Sequence, residues 1–304
     1  MTFNKFERCH PDYTEKSFVE FKNRGGELIE YDLIPIITAE HEFKPRPISD
    51  EPLTQAQNEL AFELAPWGYS FDLSPGFNTR TIDYEKYGAA IDSIGWSELV
   101  IRTSMLDLAM KQFAPSGIWL DLATNSGSLP LILSKDKSYR IEGNDLSEIN
   151  IRKANFLKEL GGVKDCDFQV ADAFDYLKSQ NDNTYDILSA HGIFYHLSDP
   201  LGLAHLIFQK TKKIAMIETI VQNFPFSGWI QTVSRHIKHT QLAHANDTRK
   251  IFELHPTYRG MIDTLFQVGF SEVIEVLPSD DILNRYPDTI FSTRNRRLFI
   301  GIKE

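Results

Sequence analysis

The sequence predicts an α/β fold with a mostly parallel sheet, an antiparallel last strand, an N-terminal extension and an inserted lid. Three observations carry that prediction. From Ile118 onward, short apolar runs alternate with amphipathic stretches, the pattern of strands joined by crossover helices. The run Ile118, Trp119, Leu120 and Leu122 breaks into Thr124-Asn125-Ser126-Gly127-Ser128, small residues that suit a tight strand-to-helix loop. Asp145 then follows a second strand, at a spacing that lets a carboxylate accept hydrogen bonds from a ribose.

Taken in order, Thr14 to Asn23 is expected to be helical and stopped by Gly25-Gly26, and Glu27 to Ile37 to run as a strand and an extended segment. Pro35, Pro45, Pro47 and Pro52 mark an irregular wrap, and Thr54 caps a short helix reaching Leu64. Pro66 to Thr79 sets Trp67, Tyr69, Phe71 and Phe77 among Gly and Pro. It is either a shaped substrate surface or an aromatic plug that packs the extension down. Ser97 to Phe113 has helical spacing, with Ser97 as N-cap and Pro115 beyond its end. Strands are expected at Tyr139–Ile141 (leading into a turn at Gly143-Asn144-Asp145), Asp167–Val170, Tyr185–Ser189, Ile214–Val221, Val273–Leu277 and Arg297–Ile302. Helices fall between them at Ser147–Leu160, Leu201–Lys210 and Tyr258–Val268, with glycine stops at Gly161-Gly162 and Gly269. This divides the chain into an extension or substrate cap, 1–95, and a main domain, 96–304, carrying a lid insertion at 222–255.

Composition narrows the function. The 304 residues, 42% of them hydrophobic, can bury a sizeable core. No apolar stretch approaches the ~20 residues that a membrane span needs. Cys9 and Cys166 stand alone without metal-type spacing, and the first residues have no apolar signal core. The expectation is a cytoplasmic protein with reduced thiols and no bound metal. A net charge of −10 disfavours a broad nucleic-acid footprint, although Arg235, Lys238, Arg249 and Lys250 leave a local basic surface.

The loop after the first strand of the alternating region holds one glycine, Gly127, and no Gly-Lys-Ser or Gly-Lys-Thr. A pyrophosphate cradle is therefore unsupported, which leaves a phosphate-free nucleoside or an ordinary turn. Read as Asp121-Leu122-Ala123-Thr124-Asn125-Ser126-Gly127, the loop resembles the first motif of class I S-adenosylmethionine-dependent methyltransferases, Asp-x-Gly-x-Gly-x-Gly, with Ala123 and Asn125 at two glycine positions. Asp172-Ala173, Tyr185-Asp186-Ile187-Leu188 and Gly269-Phe270 resemble later motifs of that family in the same order. The resemblance implies a Rossmann-like sheet, S-adenosylmethionine as cofactor, and a cofactor site at Asp121, Ala123, Asn125, Gly127, Asp145, Leu146, Asp172, Ala173 and His191. A narrower likeness links His191 to Leu201, Glu218-Thr219 and Pro66-Trp67 to the wobble-uridine carboxymethyltransferases of tRNA. That family places a lysine soon after Pro-Trp, where this chain has Gly68, Tyr69 and Ser70. The departure favours ordinary S-adenosylmethionine and a small-molecule acceptor.

Methylation of a hydroxyl needs a base, and a histidine with an ordinary pKa near 6.5 suits that task. His196 is the first candidate, unless it caps the following helix; His191 and Glu218 are the others. Trp67, Tyr69, Phe77, Tyr195, Arg235, His236 and His239 are the candidate substrate contacts, although a solvated helix face is the preferred reading of the last three. The leading reading is methyl transfer to a small-molecule acceptor at oxygen, compatible with a homodimer. A tRNA-modifying transferase and a non-catalytic cofactor-binding protein are the alternatives.

Overall fold

The computed structural model describes residues 34–88, 95–135, 139–222, 224, 226–233, 252–293 and 295–304. The helix expected at 14–23, Cys9, and the candidates Arg235, His236 and His239 lie outside these described residues. The strands are β1 (Ile36–Ala39), β2 (Asp72–Ser74), β3 (Phe77–Asn78), β4 (Gly117–Leu122), β5 (Tyr139–Asp145), β6 (Cys166–Val170), β7 (Tyr185–His191), β8 (Thr211–Ile220), β9 (Trp229–Val233), β10 (Phe252–Pro256), β11 (Glu272–Pro278) and β12 (Arg296–Ile302). The helices are α1 (Gln55–Leu64), α2 (Thr79–Tyr87), α3 (Trp96–Phe113), α4 (Ser128–Ser134), α5 (Glu148–Leu160), α6 (Ala173–Ser179), α7 (Pro200–Lys210), α8 (Tyr258–Val268) and α9 (Asp280–Arg285).

Eight strands form one sheet in the order β1-β11-β12-β8-β7-β4-β5-β6. Its pairs are parallel except where β12 lies between β11 and β8 and runs against both. That reversal matters for the site. It brings Arg296, the first residue of β12, level with Ile220 at the carboxyl edge where the parallel strands end. A strand at residues 27–37 was expected; the described pairing lies at Ile36–Ala39, which adds β1 to the edge of the sheet beside β11.

Strand alternation splits the core into two layers. Trp119, Ile187, Ile214, Met216, Leu298 and Ile300 face one cluster, which they share with α1, α3, α4 and α5. Leu120, Leu188, Ala215, Ile217 and Phe299 face the other, shared with α6, α7 and α8. Caps fix where several helices begin. Thr54 forms a capping box with Gln57, and Asp199 caps α7 ahead of Pro200. Ser97 is not a cap: α3 starts at Trp96, and Gly95 precedes it without a side-chain bond.

Residues 39–82 contribute Ala39, Ile48, Leu64, Trp67, Phe71 and Ile82 to the first cluster, continuous with α3. Trp67 is fully buried, its indole N–H donating to the Ala61 carbonyl at 3.1 Å and its backbone N–H to Asp83 at 3.1 Å. Phe71 meets its ring edge-on at 5.9 Å and Phe156 lies 6.0 Å away. This corrects the expectation of a substrate contact: Trp67 is the plug that anchors residues 54–83 onto α5. Trp67→Ala should cost about 3–5 kcal/mol in urea unfolding, whereas a substrate contact would leave stability nearly unchanged.

Candidate active site

The loop leaving β4 keeps a left-handed backbone at all three positions where the motif has glycine. Ala123 has φ 51°, Asn125 φ 54° and Gly127 φ 67°. Asn tolerates that conformation through its short polar side chain; Ala does so at a cost of about 1 kcal/mol. At Gly127 there is no choice, because a Cβ there would come within 2.8 Å of the Phe168 ring and 2.9 Å of the Ala154 methyl. The loop is tied down at its root. Asp121 accepts from Ser189 Oγ at 2.6 Å and from Thr124 Oγ1 at 2.7 Å, and the Trp119 indole N–H donates to Ser189 at 2.7 Å. Burial still outweighs those bonds and pushes the Asp121 carboxyl up to about 6.

Asp145 closes β5, which runs through Gly143 and Asn144 rather than stopping at Ile141. Its carboxylate accepts the Asn125 backbone N–H at 3.0 Å, the Ser147 backbone N–H at 2.9 Å and the Asn150 side-chain amide at 3.2 Å. A carboxylate has about four acceptor positions, so Oδ2, which takes only the Asn125 bond, retains room for a ribose hydroxyl. The neighbouring Leu146 is 55% exposed, an apolar face beside that carboxylate. Just past the next strand, Asp172 caps α6 through Oδ1, accepting from Phe174 at 2.8 Å and Asp175 at 3.2 Å, with Ala173 buried behind it. These residues fit a phosphate-free nucleoside: one carboxylate at a ribose position, an apolar face, and a second carboxylate just past the end of the adjoining strand.

Next to the loop lies a buried knot of charge. Glu218 on β8 is 1% exposed and receives Arg102 from α3, with Nη2 at 2.8 Å from Oε1 and Nε at 2.5 Å from Oε2. Arg296 from β12 binds Oε1 as well. The two guanidiniums hold the Glu218 carboxyl down at about 2 against the opposing effect of burial, so it is a weak base. His191 sits 3.9 Å from both Asp121 and Glu218, and neither ring nitrogen has a hydrogen-bond partner among the described residues. Burial, helped by the two arginines, depresses its pKa to about 3, so the ring is neutral and weakly basic. Tyr69 stands over the Arg102 guanidinium at 5.9 Å, and the Tyr195 hydroxyl lies 3.4 Å from Arg296 Nη1. Phe77 is half-buried on β3, near the Phe62 ring at 6.4 Å.

His196 lies in the 3-10 turn Phe194–His196 after β7, and it is not the helix cap; Asp199 fills that role, accepting from Gly202 at 2.8 Å. The hairpin β9–β10 reaches over this turn. Glu253 Oε1 is 3.3 Å from His196 Nδ1, and His255 bonds the other Glu253 oxygen at 2.9 Å. Arg102, Arg296, Glu253 and His255 were missed in the sequence. Arg102 had a signal, a lone charge within the apolar helix LVIRTSML. Glu253 and His255 had only a two-residue spacing inside an apparent insertion.

The strand order with one reversed strand defines the Rossmann-like sheet of class I methyltransferases. Residues 115–259 match the family model of a methyltransferase domain. No curated protein sequence matches the chain significantly. Among solved structures, the N-terminal domain of EvdMO1 with S-adenosylhomocysteine bound superposes with TM-score 0.54 at 16% identity, covering 82% of this chain and 96% of that one. The same domain in the presence of S-adenosylhomocysteine and D-fucose gives TM-score 0.55 at 16% identity over the same shares. Full-length EvdMO1 gives 0.51 at 17% identity, covering 82% of this chain and 47% of that one. The domain match covers 115–259, and the structural likeness at 16–17% identity shows a shared fold.

Two outcomes follow from the site's geometry. Ala123→Gly should raise stability by about 0.5–1 kcal/mol, the relief of a left-handed Cβ less the added freedom of the unfolded chain; chemical denaturation measures it, and a loss would show that Ala123 is unstrained. The second concerns pH. Glu218, lowered from 4.5 to about 2, adds stability that is complete above pH 4.5 and lost as pH falls through 2. His191, lowered from 6.5 to about 3, costs stability as pH falls from 6.5, because only the unfolded chain takes up its proton. Asp121, raised from 3.8 to about 6, adds stability as pH falls from 6 to 3.8, because only the folded chain holds that proton. These last two oppose each other, so His191→Gln should convert a flat profile between about pH 6 and 4.5 into stability that rises toward acid, read from urea midpoints across that range.

Proposed function

We propose that this protein transfers a methyl group from S-adenosylmethionine to the oxygen of a small-molecule acceptor. The observation that carries the cofactor half is the left-handed backbone at Ala123, Asn125 and Gly127, held to Asp145 through the Asn125 N–H. When bound, the cofactor supplies an electrophilic methyl group on a sulfonium. The protein's own residues then have three tasks. Asp145, Leu146, Asp172 and Ala173 hold the nucleoside, while the neutral His191 lines the space beside Asp121 without adding charge. Tyr69, Tyr195 and the hairpin bearing Glu253 position the acceptor from the extension and the insertion, which act as its cap and lid. His196 accepts the acceptor's hydroxyl proton, since Glu218 and His191 are held far too acidic for that work.

A cavity of about 330 Å³ lies farther along the carboxyl edge, at the ends of β1 and β11, lined by Glu40, Met105, Ser279, Asp280 and Arg296; His196, Tyr69, Tyr195 and Asp145 are not part of its lining, so it is separate from the proposed acceptor position. The D-fucose present with the EvdMO1 domain is compatible with a small acceptor. The net charge of −10 weighs against a nucleic-acid acceptor.

Isothermal titration with S-adenosylhomocysteine should show saturable binding, weakened by Asp145→Ala about 10- to 100-fold, the loss of a charged hydrogen bond together with its hold on Asn125. No saturable binding, or binding indifferent to Asp145→Ala, overturns the cofactor site. Transfer of labelled methyl to a panel of hydroxylated small molecules tests the acceptor class, and tRNA binding that falls steeply with salt would replace it.

A further inference from the structure

His196 does not stand alone. Behind it, three side chains from the hairpin and its flank form an ordered series. The Gln222 amide nitrogen is 3.0 Å from His255 Nδ1, His255 Nε2 is 2.9 Å from Glu253 Oε2, and Glu253 Oε1 is 3.3 Å from His196 Nδ1. Each contact constrains the next. An amide nitrogen can only donate, so His255 Nδ1 accepts and its proton must be on Nε2. That proton goes to Glu253, a carboxylate that can only accept. The second oxygen of Glu253 stands 3.3 Å from His196 Nδ1, outside hydrogen-bond geometry but near enough for its charge to favour a proton on Nδ1 over a lone pair, which leaves His196 Nε2 with its lone pair. Nδ1 is itself buried, while the His196 side chain is 34% exposed, so the reachable part of the ring is its other edge.

We infer that Glu253, itself held by His255 and through it by Gln222, is a positioning residue that favours the His196 tautomer with Nε2 free to accept a proton. The inference deepens the proposed function and rests on its assignment of His196 as base. The groups facing His196 are Glu253 and His255 from β10, Arg296 from β12 and the Tyr195 ring, 4.2 Å away in the same turn. Of the charged neighbours, Glu253 alone raises its pKa; Arg296 and His255 lower it, as burial does. Removing the Glu253 charge therefore moves its titration toward acid. Among the described residues there is no group of three or more His, Cys, Asp or Glu that could hold a metal ion.

Long-range proton–nitrogen NMR on the full chain carrying nitrogen-15 histidine reads tautomer and titration directly, with His196→Gln assigning the signals. The expected result is a proton on Nδ1 of His196 and on Nε2 of His255. In Glu253→Gln, which keeps one acceptor oxygen instead of two, one of those tautomers should switch and the His196 midpoint should fall. Glu253→Asp should restore the midpoint toward wild type. Gln222→Leu, which leaves the carboxylate in place, should leave both tautomers as they are in wild type. A proton on Nε2 of wild-type His196, or a folded Glu253→Gln protein with tautomers and midpoint unchanged, overturns the inference. Titrating the same samples with S-adenosylhomocysteine separates the two readings. Loss of binding in wild type refutes the cofactor site without altering the tautomers, and retained binding with the wrong tautomer refutes only the positioning series.

Discussion

A carboxylate that is 1% exposed keeps its charge only if cations come to it, and the carboxyl edge of this sheet is arranged around that requirement at Glu218. Its partners arrive from far along the chain: Arg102 from α3, 116 positions earlier, and Arg296 from β12, 78 positions later. Arg296 reaches the edge because β12 runs backward and starts there. Helix α3, β8 and β12 must all be in place before Glu218 can be buried as an anion, so correct docking of three separate elements is coupled to one charge. Burial, helped by the same two guanidiniums, keeps His191, which pairs with Glu218 in the β7–β8 register, from taking up a proton.

The loop beside that knot obeys a different constraint. Its three left-handed positions are needed for the chain to turn from β4 into α4, and only at Gly127 does packing forbid a side chain. At Ala123 and Asn125 the conformation is imposed by the surroundings instead. Asp145 holds the Asn125 N–H, and the Thr124 N–H donates to the Asn144 carbonyl at 2.9 Å. The residue that reads as a ribose ligand is thus also the clamp that keeps the glycine-poor loop in the glycine conformation. In the proposed function, structure and ligand recognition would share one carboxylate.

This duality explains what could be read from the sequence. The sheet was legible because a parallel strand buried on both faces leaves an unbroken apolar run, as at Ile118 to Leu122 and Ile214 to Val221. Strand ends were read short wherever pairing continues through polar residues: Gly143, Asn144 and Asp145 look like a turn, yet pair with Phe168, Gln169 and Val170. Trp67 was ambiguous because an aromatic surrounded by Gly and Pro has one pattern whether it faces ligand or core; the Asp83 and Ala61 bonds settle it for the core. Arg102 left only the trace of a lone charge in an apolar helix and Glu253 less still, since what makes them important is a partner far away in sequence, and no local pattern names that partner.

The three candidate bases show how environment decides chemistry among residues that look interchangeable in the sequence. Glu218 faces two guanidiniums that touch it directly, and its carboxyl is held near 2. His191 is sealed in beside the same cations with no acceptor for its N–H, and burial takes its pKa down to about 3. His196 is also lowered by burial, but it is a third exposed and has an anion of its own in Glu253, which works against that fall. A base must be reachable by the acceptor and able to hold the proton it takes, and a neighbouring carboxylate supplies the second condition by stabilising the imidazolium. Of the three, only the residue just past the strand end, covered by the β9–β10 hairpin, meets both. In the proposed function, the insertion that brings Glu253 and His255 would therefore be tied to proton handling as well as to enclosure.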